Sequence, residues 1–371
     1  MTISAMMTVC VLYLPQAALA SQNNNFEKMG REALEVVRRD HAIAGRPGAY
    51  YEDQNKRAIA FTWGNSMLLL AYAKAAQIDA ATYAEPLDHL IKNLDRYWVE
   101  HSGIGGYDHL PHPRGDIERY YDDNAWVAMG LIDAYEAVGK EGYLERAKKT
   151  IEFSLSGINR KEGGIWWRED PKQSMNTCSV APTAFACLRF YEATGRRAYL
   201  EAAKALMAWL DEHLQDSDGL YMDSITPRGR INRTKWTYNT GMPLQNYVKL
   251  YQLTGVERYL DKANTIAAAA EKHWVDPDTG AVQCEAMFVW TLLEGWVALS
   301  EATGRPHWKD VSQKAATYLY EHVRDPNGRY PKRWDRPADG ELTEWNLLYP
   351  ASNARAFWIL AAAGRQPEKT L

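Results

Sequence analysis

Cysteine is scarce: four residues in 371. Cys10 falls in an apolar leader, Cys178 and Cys187 lie nine residues apart on one expected helix, and Cys284 stands alone. Nine residues of helix rise about 13 Å, too far for a disulfide. The pattern is neither a disulfide framework nor a CxxC metal site. No HExxH spacing occurs, and neither a cofactor nor a metal is expected. Neither charge dominates, with 43 Lys and Arg against 47 Asp and Glu and no block of one sign. That argues against a nucleic-acid groove or an anionic membrane surface. Gly and Pro number only 25 and 16, which argues against collagen-like or disordered chains. Phenylalanine is also sparse, at 7, beside 14 Trp and 22 Tyr. The aromatic content is therefore mostly of the kind that joins a flat apolar face to a hydrogen-bonding edge, as surfaces that meet amphipathic ligands require.

Residues 1–20, MTISAMMTVCVLYLPQAALA, carry no charge, an apolar stretch from Met6 to Leu14, and Ala18-Leu19-Ala20 before Ser21. This reads as a secretory signal cleaved near Ala20, giving a periplasmic or extracellular protein, although the usual early Lys or Arg is missing. The run is too short to span a bilayer, and no other approaches that length. Residues 21–371 are read as one domain, expected to be a monomer.

A phrase recurs through that domain: YEAVGKEGYLERAKK at 135–149, YEATGRRAYLEAAKA at 191–205, YQLTGVERYLDKANT at 251–265, and a weaker copy from Ser300. Gly139, Gly195, Gly255, Gly304 and Gly364 are spaced by 56, 60, 49 and 60 residues. Each phrase reads as a helix stop, a tight turn and a new helix start. Apolar periodicity outward from these turns gives twelve helices, near 26–42, 58–76, 80–99, 121–138, 141–156, 174–194, 198–214, 237–254, 256–273, 284–303, 306–323 and 345–363. Links from each even-numbered helix to the next are short and the others long. This describes an all-α (α/α)6 barrel, a toroid of six helix hairpins with even-numbered helices inside. Its long loops gather at one end, where a site is expected.

The inner helices open with FTWGNS, YYDDNAW, SMNTCS, WTYNTG, CEAMFVW and EWNLLY. Rings beside amides and carboxylates are how a polyol is held. Trp63, Asn65, Asn124 and Asn176 are candidate sugar contacts, with Trp166, Trp167 and Trp334 as further stacking surfaces from the loops; each Trp also has an ordinary reading as packing. No histidine falls on these openings, which weakens a His-based mechanism. Asp122-Asp123 is the sharpest feature. Paired carboxylates suit acid and nucleophile work on a glycosidic bond, while the plainer reading is helix capping and dipole complementation. Asp223, in GLYMDS, is a possible third carboxylate.

The stretch YYDDNAWVAMGLIDAYEAVGKEGYLERAKK, followed by GGIWW and by WTYNTG before KLYQLTGVERYLDKA, resembles the glycoside hydrolase family 76 endo-α-1,6-mannanases in order and spacing. The resemblance implies an (α/α)6 barrel that cleaves α-1,6-linked mannan or mannooligosaccharides with retention, with Asp122 as nucleophile and Asp123 as general acid/base. It further implies that Asn176, Asp223, Trp236, Tyr238 and Asn239 line the sugar channel. Val127 and Thr240 depart from the family's frequent Trp and Gln. Transglycosylation of mannose-containing glycans and non-catalytic glycan binding are the alternatives, with a sugar epimerase or unsaturated-glucuronide hydrolase more distant.

Overall fold

Gly139, Gly195, Gly255 and Gly304 end four helices with φ of 69°, 69°, 66° and 68°, the left-handed conformation that favours glycine. In the first three the glycine N–H donates to the carbonyl of Tyr135, Tyr191 or Tyr251, closing the helix end. A new helix starts two or three residues later, so the chain reverses within one turn. The structure is a computed structural model that describes residues 16–365, with side chains from Gln22 onward. Most of the expected leader, residues 1–15, lies outside the described residues.

Twelve α-helices occur among the described residues: α1 Gln16–His41, α2 Thr62–Ile78, α3 Ala80–Leu94, α4 Tyr121–Val138, α5 Glu141–Ser156, α6 Thr177–Thr194, α7 Arg197–Leu214, α8 Thr237–Thr254, α9 Glu257–Trp274, α10 Ala286–Thr303, α11 His307–Tyr318 and α12 Leu348–Ala362. Helices α2, α4, α6, α8, α10 and α12 each pack on the next, and α12 returns to α2, closing an inner ring. Outside it, α3, α5, α7, α9 and α11 each lie against the inner helix that precedes them. Helix α1 packs on α12, so the sixth hairpin joins opposite ends of the chain. This is the (α/α)6 barrel. Inner helices are apolar on nearly every side, as in the SMLLLAYAKAA run of α2, because both faces meet other helices. Outer helices bury one stripe: α7 buries Tyr199, Leu200, Ala203, Leu206, Met207, Leu210 and Leu214.

The long connections carry five short strands that the helical reading did not contain. Helix α3 ends at Leu94, not near 99. After a 3-10 turn, β1 (Trp98–His101) pairs antiparallel with β2 (Ile104–Tyr107), and the Trp98 ring meets Tyr107 edge-on at 5.1 Å. Strands β3 (Met175–Asn176), β4 (Ser224–Ile225) and β5 (Ile231–Asn232) form a small sheet in that order. Pairing of Met175 and Asn176 with Ile225 and Ser224 delays the start of α6 to Thr177. Helix α11 ends at Tyr318 and continues as a π-turn over Leu319–Val323.

In the lower half of the ring, inner helices exchange charge. Arg355, 2% exposed, donates to Asp133 at 2.7 Å, to Glu294 at 2.6 Å and to the Leu70 carbonyl at 2.9 Å. Arg189 reaches the other oxygen of Asp133 at 3.0 Å. The guanidinium of Arg355 also lies 5.8 Å from the Trp290 ring. Opposite charges on α4, α6, α10 and α12 thus meet beneath the mouth, with a backbone carbonyl of α2 beside them, and each charged partner compensates the burial of the other.

Candidate active site

All six inner helices present their amino termini to the same end of the barrel. The second residues of α2, α4, α6, α8 and α10 are Trp63, Asp122, Cys178, Tyr238 and Met287, and these five line one cavity of about 590 Å³. One turn lower on the same helix faces, Met67, Trp126 and Thr291 line it too. Trp126 meets Trp290 edge-on at 5.7 Å.

Asp122 is tightly held. Its Oδ2 accepts the indole N–H of Trp167 at 3.0 Å, and its Oδ1 accepts the backbone N–H of Asp123 at 3.1 Å. Cys178 lines the same cavity from the head of α6. Burial pushes the Asp122 pKa up to about 6 against the pull of these donors. Asp123 is raised further, first by burial, then by the charges of Asp122, Glu52 and Asp108, with no hydrogen bond drawing it back. Two adjacent carboxyls are therefore differentiated by their surroundings. Donors favour the charged form of Asp122, while burial and neighbouring charges favour the protonated form of Asp123.

Trp167 is placed by backbone pairing between its loop and the start of α4. The Tyr121 N–H donates to the Trp167 carbonyl at 3.0 Å, the Trp167 N–H donates to the Ser174 carbonyl at 2.9 Å, and the Tyr120 ring abuts the indole at 5.0 Å. On the opposite wall, Phe288 stacks with Trp63 at 6.0 Å and packs against Tyr238 at 4.4 Å. Asp223, at the edge of the small sheet, accepts from Asn232 at 3.0 Å and Asn239 at 3.3 Å. Asn176 accepts from the Ser174 hydroxyl at 2.6 Å. The cavity thus offers aromatic faces on two sides and carboxylates and amides between them.

Residues 45–291 match the family model described as glycosyl hydrolase family 76. The chain belongs to glycosyl hydrolase family 76. Among solved structures, a family-76 α-mannanase of Bacteroides thetaiotaomicron is 32% identical with a TM-score of 0.88, the match covering 92% of this chain and 98% of that one. An α-1,6-mannanase of a Salegentibacter species shares the fold at 21% identity and a TM-score of 0.77, over 91% and 99% of the two chains. That enzyme was solved as an inactive variant, with two aspartates replaced by asparagine, in complex with α-1,6-mannotriose. Among curated proteins, the Meiotically up-regulated gene 191 protein of Schizosaccharomyces pombe is 26% identical over 203 residues, which is 50% of this chain and 45% of that protein. The match thus spans about half of that relative's length.

As a family-76 glycoside hydrolase, the protein gathers Trp63, Asp122, Asp123, Trp167, Asn176, Asp223 and Tyr238 around its cavity. Four other residues expected to contact sugar sit behind the wall. Asn65 is fully buried and donates to the carbonyls of Ala60 and Phe61, both at 3.0 Å. Asn124, equally buried, exchanges bonds of 2.7 and 2.9 Å with the Tyr107 backbone. Asn239 is buried and orients Asp223, while Trp236 packs on Phe288 at 5.4 Å. The three amides are occupied by the fold, while Trp236 is half-buried beside the cavity wall. Trp334, expected as a stacking surface, is 0% exposed and donates to the Ala315 carbonyl at 3.2 Å, and Trp166 packs half-buried against the core.

Other lining residues were not anticipated. Cys178, Met287, Met67, Trp126 and Thr291 follow from the position of Asp122 once its place on the helix face is known. His109 lines the cavity from the α3–α4 loop, where periodicity carries no signal. Its Nδ1 lies 2.9 Å from Asp108, which raises its pKa, and its ring stacks with Phe61 at 6.0 Å.

Proposed function

We propose that this glycoside hydrolase cleaves α-1,6-mannosidic bonds of mannan-type polysaccharides with retention of configuration. The observation that carries the reading is the Asp122-Asp123 pair at the head of α4, opening into a cavity walled by Trp63, Trp167 and Tyr238. In the first step an Asp122 oxygen attacks the anomeric carbon as the bond to the leaving O6 breaks, and Asp123 gives O6 its proton. In the second, water attacks the same carbon, Asp123 takes the water's proton, and the ester bond to Asp122 breaks. The 32% identity to an α-mannanase over nearly the whole chain supports mannose as the sugar. The α-1,6-mannotriose held by the Salegentibacter enzyme supports the linkage.

Incubation with linear α-1,6-mannooligosaccharides tests the substrate: release of shorter products is expected, and unchanged substrate at every chain length overturns the reading. Asp122→Asn and Asp123→Asn test the roles. Both are expected to lose activity by at least about a thousand-fold; on a substrate with an activated leaving group and added azide, Asp123→Asn is expected to give glycosyl azide of retained configuration and Asp122→Asn none of that configuration. The leader-like first twenty residues fit an exported enzyme that meets its polysaccharide outside the cytoplasm.

A further inference from the structure

Arg119 precedes Tyr120, Tyr121 and Asp122 in the chain, is 1% exposed, and has every one of its N–H groups engaged. It grips both carboxylate oxygens of Glu169, at 2.8 and 2.7 Å. The other donors reach the carbonyls of Ile104 at 2.8 Å, His101 at 3.1 Å and Val99 at 3.2 Å, and the guanidinium lies 4.5 Å from the Phe153 ring. The Glu169 N–H donates back to the Arg119 carbonyl at 3.0 Å. With no donor free, Arg119 cannot serve sugar directly. We propose that the Arg119–Glu169 pair is a clamp that keeps the Trp167 indole on Asp122, which makes both of them positioning residues for the nucleophile. The proposal rests on the reading of Asp122 as that nucleophile.

The clamp closes a short ring. Arg119 leads through Tyr120 and Tyr121 to Asp122, which accepts from Trp167; Trp167 leads through Arg168 to Glu169, which returns to Arg119. So short a ring leaves little slack, and the pair at its far end sets where the indole stands. Trp167 needs such a hold. It is 36% exposed, on a loop that runs from the end of α5 at Ser156 to the start of α6 at Thr177, where water competes for its N–H. Arg168 adds a tie to Glu118 at 2.9 Å, but both partners of that pair are partly exposed and screened by solvent. The bidentate bond of a buried guanidinium is the stronger of the two.

Charge and position act with opposite signs here. Removing the Glu169 carboxylate takes away a negative charge and leaves Arg119 unpaired, and each change alone favours the Asp122 anion and lowers the acid limb. Losing the indole donor disfavours the anion and raises that limb. An upward shift therefore reports position. The other titratable groups around Asp122 in the cavity, His109, Tyr120, Asp123, Cys178, Asp223 and Tyr238, are left in place.

The test uses Glu169→Ala, Glu169→Gln, Trp167→Phe and the double variant Glu169→Ala with Trp167→Phe, all in the full chain. In Glu169→Ala the acid limb of the kcat/KM profile is expected to rise by about half a pH unit, lowering kcat/KM about two- to three-fold at pH 5.5 and less at pH 7.5. Adding Glu169→Ala to Trp167→Phe is expected to leave the limb where Trp167→Phe puts it. A limb that stays or falls in Glu169→Ala overturns the clamp. An equal rise in both backgrounds also overturns it, since Glu169 then acts without Trp167. Glu169→Gln keeps one acceptor for Arg119, is expected to shift the limb less, and carries the comparison if Glu169→Ala does not fold. A second readout needs no turnover. The indole N–H resonance of Trp167, assigned by its absence from the nitrogen-edited spectrum of Trp167→Phe, is expected to move upfield toward that of a free indole in Glu169→Ala. A resonance that stays in place overturns the clamp. One that moves in a protein inert toward α-1,6-mannooligosaccharides leaves the clamp standing and overturns the substrate assignment instead.

Discussion

The indole N–H of Trp167 donates to Oδ2 of Asp122 across 45 residues of sequence at 3.0 Å, tying a loop tryptophan to the carboxylate at the head of α4. This bond favours the charged form of Asp122, so its loss raises the carboxyl's pKa. Trp167→Phe retains an aromatic face and removes the donor. The acid limb of its pH-rate profile is expected to move to higher pH, with kcat/KM reduced about ten-fold near pH 6. An unmoved limb in steady-state kinetics would show that Trp167 contributes stacking alone.

The unmodified enzyme is expected to give a bell-shaped profile. The proposed reaction needs Asp122 ionised and Asp123 protonated, and burial raises both groups, Asp122 to about 6 and Asp123 further. Activity should rise through pH 6, as Asp122 loses its proton, and fall at higher pH as Asp123 loses its own. The two limbs belong to the coupled pair as a unit. Measurement of kcat/KM from pH 4 to 9 checks both limbs.

The same raised values imply that the site destabilises the fold at neutral pH. A carboxyl whose folded pKa lies above its unfolded one contributes stability below the unfolded pKa, near 4, and loses that contribution as pH rises through the folded value. Asparagine mimics the protonated form. Asp123→Asn is therefore expected to unfold at higher denaturant than wild type at pH 8, with the gap closing below pH 4. Urea titrations at the two pH values decide this.

Asn124 adjoins the Asp122-Asp123 pair in sequence, yet its side chain binds the Tyr107 backbone and the Tyr120 carbonyl, at 2.7 to 2.9 Å. Asn124→Ala leaves buried backbone groups of β2 unpaired and is expected to cost about 1–3 kcal/mol of stability. KM for mannotetraose should stay within about two-fold, because the amide never faces sugar. Thermal unfolding and kinetics on one preparation separate the two effects.

Arg355→Met strips the guanidinium from Asp133 and Glu294 and leaves both carboxylates without their shared partner. A loss of about 3–5 kcal/mol is expected, read as a lower urea midpoint. Replacing Arg355, Asp133 and Glu294 together by apolar residues of similar volume should recover much of it.

The helical frame was legible because its signals are local. A glycine that must turn left-handed, followed by an aromatic four residues on, marks four of the six hairpins in the string of letters. Asp122-Asp123 was legible for the same reason, since adjacent carboxylates at a helix start need no folding to be seen. Asn65 and Asn124 misled: an amide beside an aromatic reads as a sugar contact until tertiary contacts with Tyr97 and Tyr107 are known to occupy it. His109 and the sheet that carries Asp223 were hidden because the path of a long loop is set by pairings such as Ser224 with Asn232, which no periodicity reports.

The hairpin made by α1 and α12 gives the molecule a seam. Tyr320 and Arg324 reach Glu32 at 2.7 and 2.9 Å, and Arg329 reaches Asp40 at 2.9 Å, so α1 is clasped by residues almost three hundred positions later in the sequence. Asp122 and Asp123 emerge early, but the walls around them belong to a ring that stays an open arc until α12 has been made. The two carboxylates therefore lie far in sequence from the helix that closes the ring around them, so the cavity they face takes its final shape only when α12 docks between α2 and α10.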